Sequence, residues 1–221
     1  MLPFLIVYLR SFKLHSLCLV IQSILFLLFE IKKRSIMSLT YSAMMPLNAS
    51  APHFKLRDIN TDQVITPEHI KGEHGLVVMF VFNHCPYVKH VEDEISKIAG
   101  EYLSRGIGMV AITSNDIVKY PDDGPEGMKD QARRASWNFP YLLDETQEVA
   151  KAYKAECTPD FFLFDKSLKC VYRGRMDSSS PGNGQPNDGA DLRQALDRLI
   201  AGQPIPEDQK PSMGCNIKWR S

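Results

Sequence analysis

Apolar positions alternate between unbroken runs and spaced stripes along this chain, and each kind predicts an element. Residues 76–82, LVVMFVF, are apolar throughout and rich in Val, which predicts a central strand covered on both faces. Residues 108–114, GMVAITS, predict a second buried strand. Between them Val88, Val91, Ile95, Ile98 and Leu103 recur at helical spacing with acidic residues among them, so residues 88–103 read as an amphipathic helix. Upstream, Phe54 and Leu56 alternate with polar residues, and APHFKLRDI with DQVIT predicts a short hairpin. Downstream, a loop rich in Asp, Pro and Gly runs from Asn115 to Gly127, and a helix follows to about Trp137. FPYLLD then reads as a strand and ETQEVAKAYKA as a helix. DFFLFD and CVYRGRM form a predicted β-hairpin, SSSPGNGQPNDG a loop, and Asp191 to Ile200 a last amphipathic helix. The final 20 residues are rich in Pro and read as extended.

This order is α/β: a β-α-β unit, a further helix, strand and helix, a hairpin, and a closing helix. Parallel strands joined by helices imply right-handed crossovers. Sites in such sheets lie beyond the carboxyl ends of the strands. Cys85 falls at that place, after the first central strand and before the helix. Three segments follow from the pattern: an apolar N-terminal stretch over 1–36, a domain over 46–202, and an extended tail over 203–221.

Charge and cysteine content narrow the function classes. Acidic and basic residues balance at 26 each, which provides no field for nucleic acid or an anionic membrane face. Five widely spaced cysteines, an odd number, argue against a secreted disulfide framework and for thiols in a reducing, cytoplasmic setting. The N-terminal stretch departs from this picture. Residues 17–29, LCLVIQSILFLLF, are a short apolar run followed by Glu30 and the basic cluster Lys32, Lys33 and Arg34. A span needs about 20 apolar residues, and a cleavable signal would be followed by small residues rather than charges. Two readings stand: an uncleaved membrane anchor through residues 17–29, or an upstream extension of a chain that starts at Met37. The second is preferred.

The chemistry centres on FNHCPYVKH. Only a thiolate attacks peroxides, disulfides or metals, and an ordinary thiol is mostly protonated at neutral pH. A helix N-terminus offers unpaired N–H groups and partial positive charge, which favour the anion. Pro86 suits the first helical turn, where a missing N–H costs nothing, and His84 and Lys89 add positive potential. Cys85 is therefore expected to be a reactive thiol. A metal site built on His84, Cys85 and His90 is disfavoured, because neighbours at a strand–helix turn point in different directions.

FNHCPYVKH, ECTPDFFLFD, VYRGRMD and PSMGCNIKW together resemble the peroxiredoxin-like branch of the thioredoxin superfamily, the group related to alkyl hydroperoxide reductase and thiol-specific antioxidant proteins. The resemblance runs from about residue 46 to the C-terminus. It implies a thioredoxin-like fold with a central mixed sheet and helices on both faces, and no cofactor. It implies that Cys85 is the attacking cysteine and that Thr158-Pro159 is a cis-proline element facing it. Thr158, Pro159 and Pro86 would then border the substrate, with a thiolate-stabilising arginine supplied by Arg173 or Arg175. The sequence departs from both parent patterns: Val88 replaces the second cysteine of a Cys-x-x-Cys, and Phe82 stands where peroxiredoxins carry a hydroxyl.

Another thiol must then regenerate Cys85. Cys157, two residues before Pro159, is the preferred partner, Cys215 in the tail the second choice, and Cys170 a core thiol. The function implied is a thiol-dependent antioxidant oxidoreductase. It takes a peroxide or disulfide as substrate and a thioredoxin- or glutathione-like thiol as reductant. The alternative is a redox sensor or thiol-disulfide exchange module that binds a partner at the cis-proline face.

Overall fold

In the computed structural model residues 39–220 are described; the N-terminal stretch, with residues 17–29 and Cys18, lies outside them. Among the described residues no helix is long and apolar enough to cross a membrane. Two continuous apolar runs become β4 (Gly75–Phe80) and β5 (Ile107–Thr113), and every residue of both is buried. They lie side by side and parallel, Gly75 opposite Ile107. β6 (Tyr141–Leu143) adds to β5 in parallel, and β8 (Asp160–Asp165) adds antiparallel to the other edge of β4. β9 (Cys170–Gly174) completes the hairpin with β8, so the main sheet runs β6-β5-β4-β8-β9 and is mixed. The predicted hairpin upstream is real but short: β2 (Leu56–Arg57) pairs only with β3 (Val64–Ile65).

Strand alternation sends Leu76, Val78 and Phe80 of β4 to one face of the sheet. There they join Val110, Ile112, Phe162 and Phe164 in a core closed by Val149, Ala150 and Tyr153 of α4 (Glu148–Tyr153). Val77 and Met79 face the other way and are equally buried, as a sheet covered on both sides requires. The long helix α2 (Pro86–Tyr102) packs on β5, and α5 (Ala190–Ile200) on β8. α2 buries Val88, Val91, Ile95 and Ile98, the stripe expected from the sequence, and each such side chain contributes about 1.5–3 kcal/mol. Its buried Glu92 is held by Arg134 of α3 (Pro125–Arg134) through two bonds of 2.8 and 3.0 Å. The remaining helix, α1 (Pro67–Ile70), is a single turn.

The tail does not remain outside the fold. Met213–Asn216 forms β10, the middle strand of a second, three-stranded sheet between β1 (Leu39–Tyr41) and β7 (Cys157–Thr158). Both pairings are antiparallel, with Cys215 opposite Thr158 on one side and Leu39 on the other. The segment 203–221 reads as extended from its prolines, yet its last part is a paired strand with Cys215 and Ile217 buried. A four-residue strand with little periodicity leaves almost no pattern in a sequence.

Candidate active site

Cys85 is the N-cap of α2, with Pro86 in the first helical position. Its backbone is extended, and its carbonyl accepts the Lys89 N–H at 2.9 Å, the first hydrogen bond of the helix. Strand β4 ends at Phe80, and the short connection through Phe82, Asn83 and His84 delivers the thiol to the carboxyl edge of the sheet, fully buried.

Facing it is the segment 157–159, in which the Thr158-Pro159 peptide is cis. The Cys85 thiol donates to the Thr158 carbonyl at 3.4 Å, and its sulfur lies 3.0 Å from Cys215 Sγ. Register explains the second contact. Residues directly opposite in an antiparallel pair project on the same side, and successive residues on opposite sides. Because Cys215 is opposite Thr158, its thiol shares the Thr158 side facing Cys85, whereas Cys157 is opposite Asn216 and projects the other way. The preferred resolving partner from sequence is thus replaced in the geometry by the second choice. Cys157 is buried, and that burial, with Asp160 next in weight, pushes its thiol well above the ordinary range. Cys170 is a buried core thiol. All four cysteines among the described residues are thiols.

Burial is the largest influence on Cys85 and raises its pKa. The Cys215 thiol, the Thr158 hydroxyl and the N–H groups of Val88 and Cys215 together outweigh it and bring the pKa down to about 7. No side-chain hydrogen bond caps the helix in the thiol form, so the N–H groups act on the anion. Cys215 moves the opposite way, raised first by its hydrogen bond to Cys85 and then by burial. Of the pair, Cys85 is therefore the first to ionise, and Cys215 is the thiol that can donate to the resulting anion. Thr158 Oγ1 is buried and has no hydrogen-bond partner in the thiol form, a donor held ready for an anion.

The two expected arginines differ in place: Arg175 lines the cavity shared by Tyr87 and Pro159, and Arg173 does not. Arg173 donates through Nε to the Met45 carbonyl at 2.9 Å and through Nη1 to Gln209 at 2.6 Å. Arg175 is paired with Asp191 at 2.6 Å. Spacing in the sequence could place either on β9 or just past it, but not show which partners would take its guanidinium first. Lys89 is exposed on α2.

A buried polar chain, not anticipated as such, ties the two cysteine segments together. Asp123, fully buried, accepts the His84 backbone N–H at 3.1 Å, lies 2.6 Å from His84 Nδ1, and accepts Asn115 Nδ2 at 2.8 Å. Asn115 Oδ1 in turn accepts the Lys218 N–H at 2.8 Å, three residues beyond Cys215. Gln147 holds the same stretch through the Lys218 carbonyl at 2.9 Å. The loop 115–127 reaches the site through Asn115 and Asp123. Beside cis-Pro159 lies a cavity of about 350 Å³, lined by Tyr87, Pro159, Phe161, Met176 and Met213 among others.

The family model for "AhpC/TSA family" matches residues 47–173, more than half of the chain. No curated protein matches. Among solved structures, an uncharacterized conserved protein from Geobacillus kaustophilus is 52% identical over 83% of this chain and 97% of its own, with a TM-score of 0.82. A hypothetical protein from Sinorhizobium meliloti 1021 is 41% identical over 82% of this chain and 99% of its own, at 0.80. Peroxidoxin BcpB from Mycobacterium tuberculosis shares the fold at 18% identity, over 72% of this chain and 98% of its own, at 0.54. The strand order, the helix-capping cysteine, the cis-proline opposite it and the family match lead to one assignment: this chain belongs to the AhpC/TSA family, in the peroxiredoxin-like branch of the thioredoxin superfamily.

Proposed function

We propose that this protein is a thiol oxidoreductase whose working couple is Cys85 and Cys215, and that its oxidant is a hydroperoxide. The observation that carries the reading is the 3.0 Å approach of the two sulfurs, one of them at the helix N-terminus with its pKa lowered to about 7. The Cys85 thiolate attacks the terminal peroxide oxygen, the O–O bond breaks, and the alcohol or water leaves with a proton. Cys85 becomes a sulfenic acid. The Cys215 sulfur then attacks the Cys85 sulfur, water leaves, and a disulfide closes within the chain. Two electrons from an external thiol reductant reopen it.

Supporting the peroxide are the family match and a buried thiolate reached most readily by a small oxidant. A second reading, exchange with disulfide substrates, is favoured by Phe82 in the place of a hydroxyl and by the engagement of Arg173 with the Met45 carbonyl and Gln209.

The test is steady-state oxidation of a thiol reductant with hydrogen peroxide or a small disulfide as oxidant. Peroxide turnover that is lost in Cys85→Ser, lowered in Cys215→Ser and retained in Cys157→Ser is expected. Peptide mapping after one equivalent of peroxide should show a Cys85–Cys215 bridge. Turnover with the disulfide alone would transfer the proposal to the second reading, and a Cys85–Cys157 bridge would overturn the assignment of Cys215.

A further inference from the structure

A disulfide between Cys85 and Cys215 lies inside the protein, since Cys85 is 0% exposed and Cys215 2%. A reductant must nevertheless reach one of its sulfurs, because exchange proceeds by attack of a thiolate on sulfur. Two routes lead there, and the fold treats them differently.

The first route is the edge of β7. An extended polypeptide that brings a thiol to Cys85 would add to that edge as a strand, through main-chain hydrogen bonds to residues 157–158. In this chain β10 already holds the position, with Cys215 opposite Thr158 and Asn216 opposite Cys157. It is secured on its other edge by β1, with Leu39 opposite Cys215. Beyond the strand, Asn115 accepts the Lys218 N–H at 2.8 Å. The Lys218 carbonyl accepts the Asp116 N–H at 2.8 Å and Gln147 Nε2 at 2.9 Å. The tail thus stands where a protein partner would, and carries the thiol that such a partner would bring.

The second route is the cavity of about 350 Å³ beside cis-Pro159, a volume within the range of small-molecule pockets. Three of its lining residues adjoin the thiol pair. Tyr87 follows Cys85 by two residues on the first turn of α2. Pro159 follows Thr158, whose carbonyl accepts the Cys85 thiol. Met213 precedes Cys215 by two residues on β10, so strand alternation places both side chains on one face. Tyr87 and Met213 are only half-buried. The lining is polar as well as apolar: His90 is bonded to Ser179 at 3.0 Å, and Ser180 and Lys210 stand near them.

We propose that a polar, low-molecular-weight thiol entering this cavity reopens the Cys85–Cys215 disulfide, and that β10 excludes protein dithiols from the same task. The thiolate of one such molecule attacks the Cys215 sulfur, the S–S bond breaks, and Cys85 leaves as a thiolate. Cys85 is the better leaving group of the pair because its pKa is the lower. A second molecule attacks the small molecule's sulfur in the mixed disulfide, and Cys215 leaves and takes up a proton. Two small thiols are oxidised to one disulfide, and their two electrons reduce the pair. The protons they release restore Cys215 and, as pH dictates, Cys85.

The inference rests on Cys85 and Cys215 as the working couple but not on the oxidant, so the full-length protein is oxidised with diamide instead of peroxide. Reopening is followed by mass spectrometry of alkylated peptides, with glutathione or reduced thioredoxin as the probe. The second-order rate with glutathione is expected to exceed that with thioredoxin. Ser180→Trp fills the cavity from a surface loop and should slow glutathione about tenfold, leaving thioredoxin unchanged. Gln147→Ala loosens the tail beyond β10 and should raise the thioredoxin rate about tenfold. A wild-type thioredoxin rate above that of glutathione overturns the proposal. So does an unchanged glutathione rate in folded Ser180→Trp, or an unchanged thioredoxin rate in Gln147→Ala. Failure of diamide to form any Cys85–Cys215 bridge would instead overturn the couple itself.

Discussion

Gly214 lies so close to the Thr158 carbonyl that a Cβ on it would stand 1.9 Å from the oxygen and 2.8 Å from the carbon. That approach seats β10 against β7 and sets Cys215 opposite Thr158, facing Cys85. The obstacle is backbone, so no rotamer change relieves it. Gly214→Ala should push β10 away from β7 and lower stability by about 1–3 kcal/mol in urea unfolding. It should also abolish the Cys85–Cys215 bridge in peptide maps. A bridge formed at the wild-type rate would show that the strand can move without cost to the pair.

The lowered Cys85 pKa has a definite sign in kinetics. Below about 7 the thiolate fraction, and with it the alkylation rate, should rise about tenfold per pH unit, and above that value it should level off. Cys215 contributes the strongest of the influences that lower it. Cys215→Ala, which removes the donor, should move the inflection upward, while Cys215→Ser, which keeps an O–H, should leave it closer to the wild type. An inflection that stays at about 7 in Cys215→Ala would assign the shift to the helix terminus instead.

The contrast between Cys85 and Cys215 shows what a sequence can carry. Cys85 is legible because three local signals coincide: the end of a continuous apolar run, a following proline, and helical periodicity over 88–103. Strands β4, β5 and β8 are legible because a strand buried on both faces is apolar along most of its length, and β9 because its alternation follows a turn that pairs it with β8. Cys215 depends on a two-residue pairing between β7 and β10, separated by more than 50 residues, and one step in that register exchanges it for Asn216. Proximity to Pro159 in the sequence favoured Cys157, but alternation along an extended segment turns its side chain away. Lys218, Asn115 and Asp123 are invisible for a related reason. Each is an ordinary polar residue in a loop or tail, and only the fold buries them together.

Thr158 offers a separation of reactivity from stability. Its hydroxyl is buried and unpartnered while Cys85 is a thiol, so the folded protein gains nothing from it in that form. Thr158→Val preserves the shape and should leave stability at acidic pH unchanged or higher by up to about 1 kcal/mol. The same variant should raise the Cys85 inflection, because the thiolate loses a donor. A stability loss above about 2 kcal/mol would show that the hydroxyl is already bonded in the thiol form.

Asp160, the residue after the cis-proline, carries a pH dependence of the fold rather than of the chemistry. It is fully buried on β8; Ser42 Oγ donates to Oδ2 at 3.0 Å, and Oδ1 has no partner. Burial, only partly opposed by the hydroxyls of Ser212 and Ser42, raises its pKa from 3.8 to about 7. The folded chain therefore holds a proton that the unfolded chain has already released above about pH 4. With the folded value above the unfolded one, the stabilisation is complete below about pH 4, declines as pH rises, and is lost beyond about 7. The total is on the order of a few kcal/mol. Asp160→Asn cannot ionise and keeps an oxygen for Ser42, so it should exceed the wild type in stability at about pH 8 and match it near pH 4. Urea midpoints of both proteins across that range measure the difference. Parallel curves would mean that water or a nearby cation already satisfies the Asp160 carboxylate.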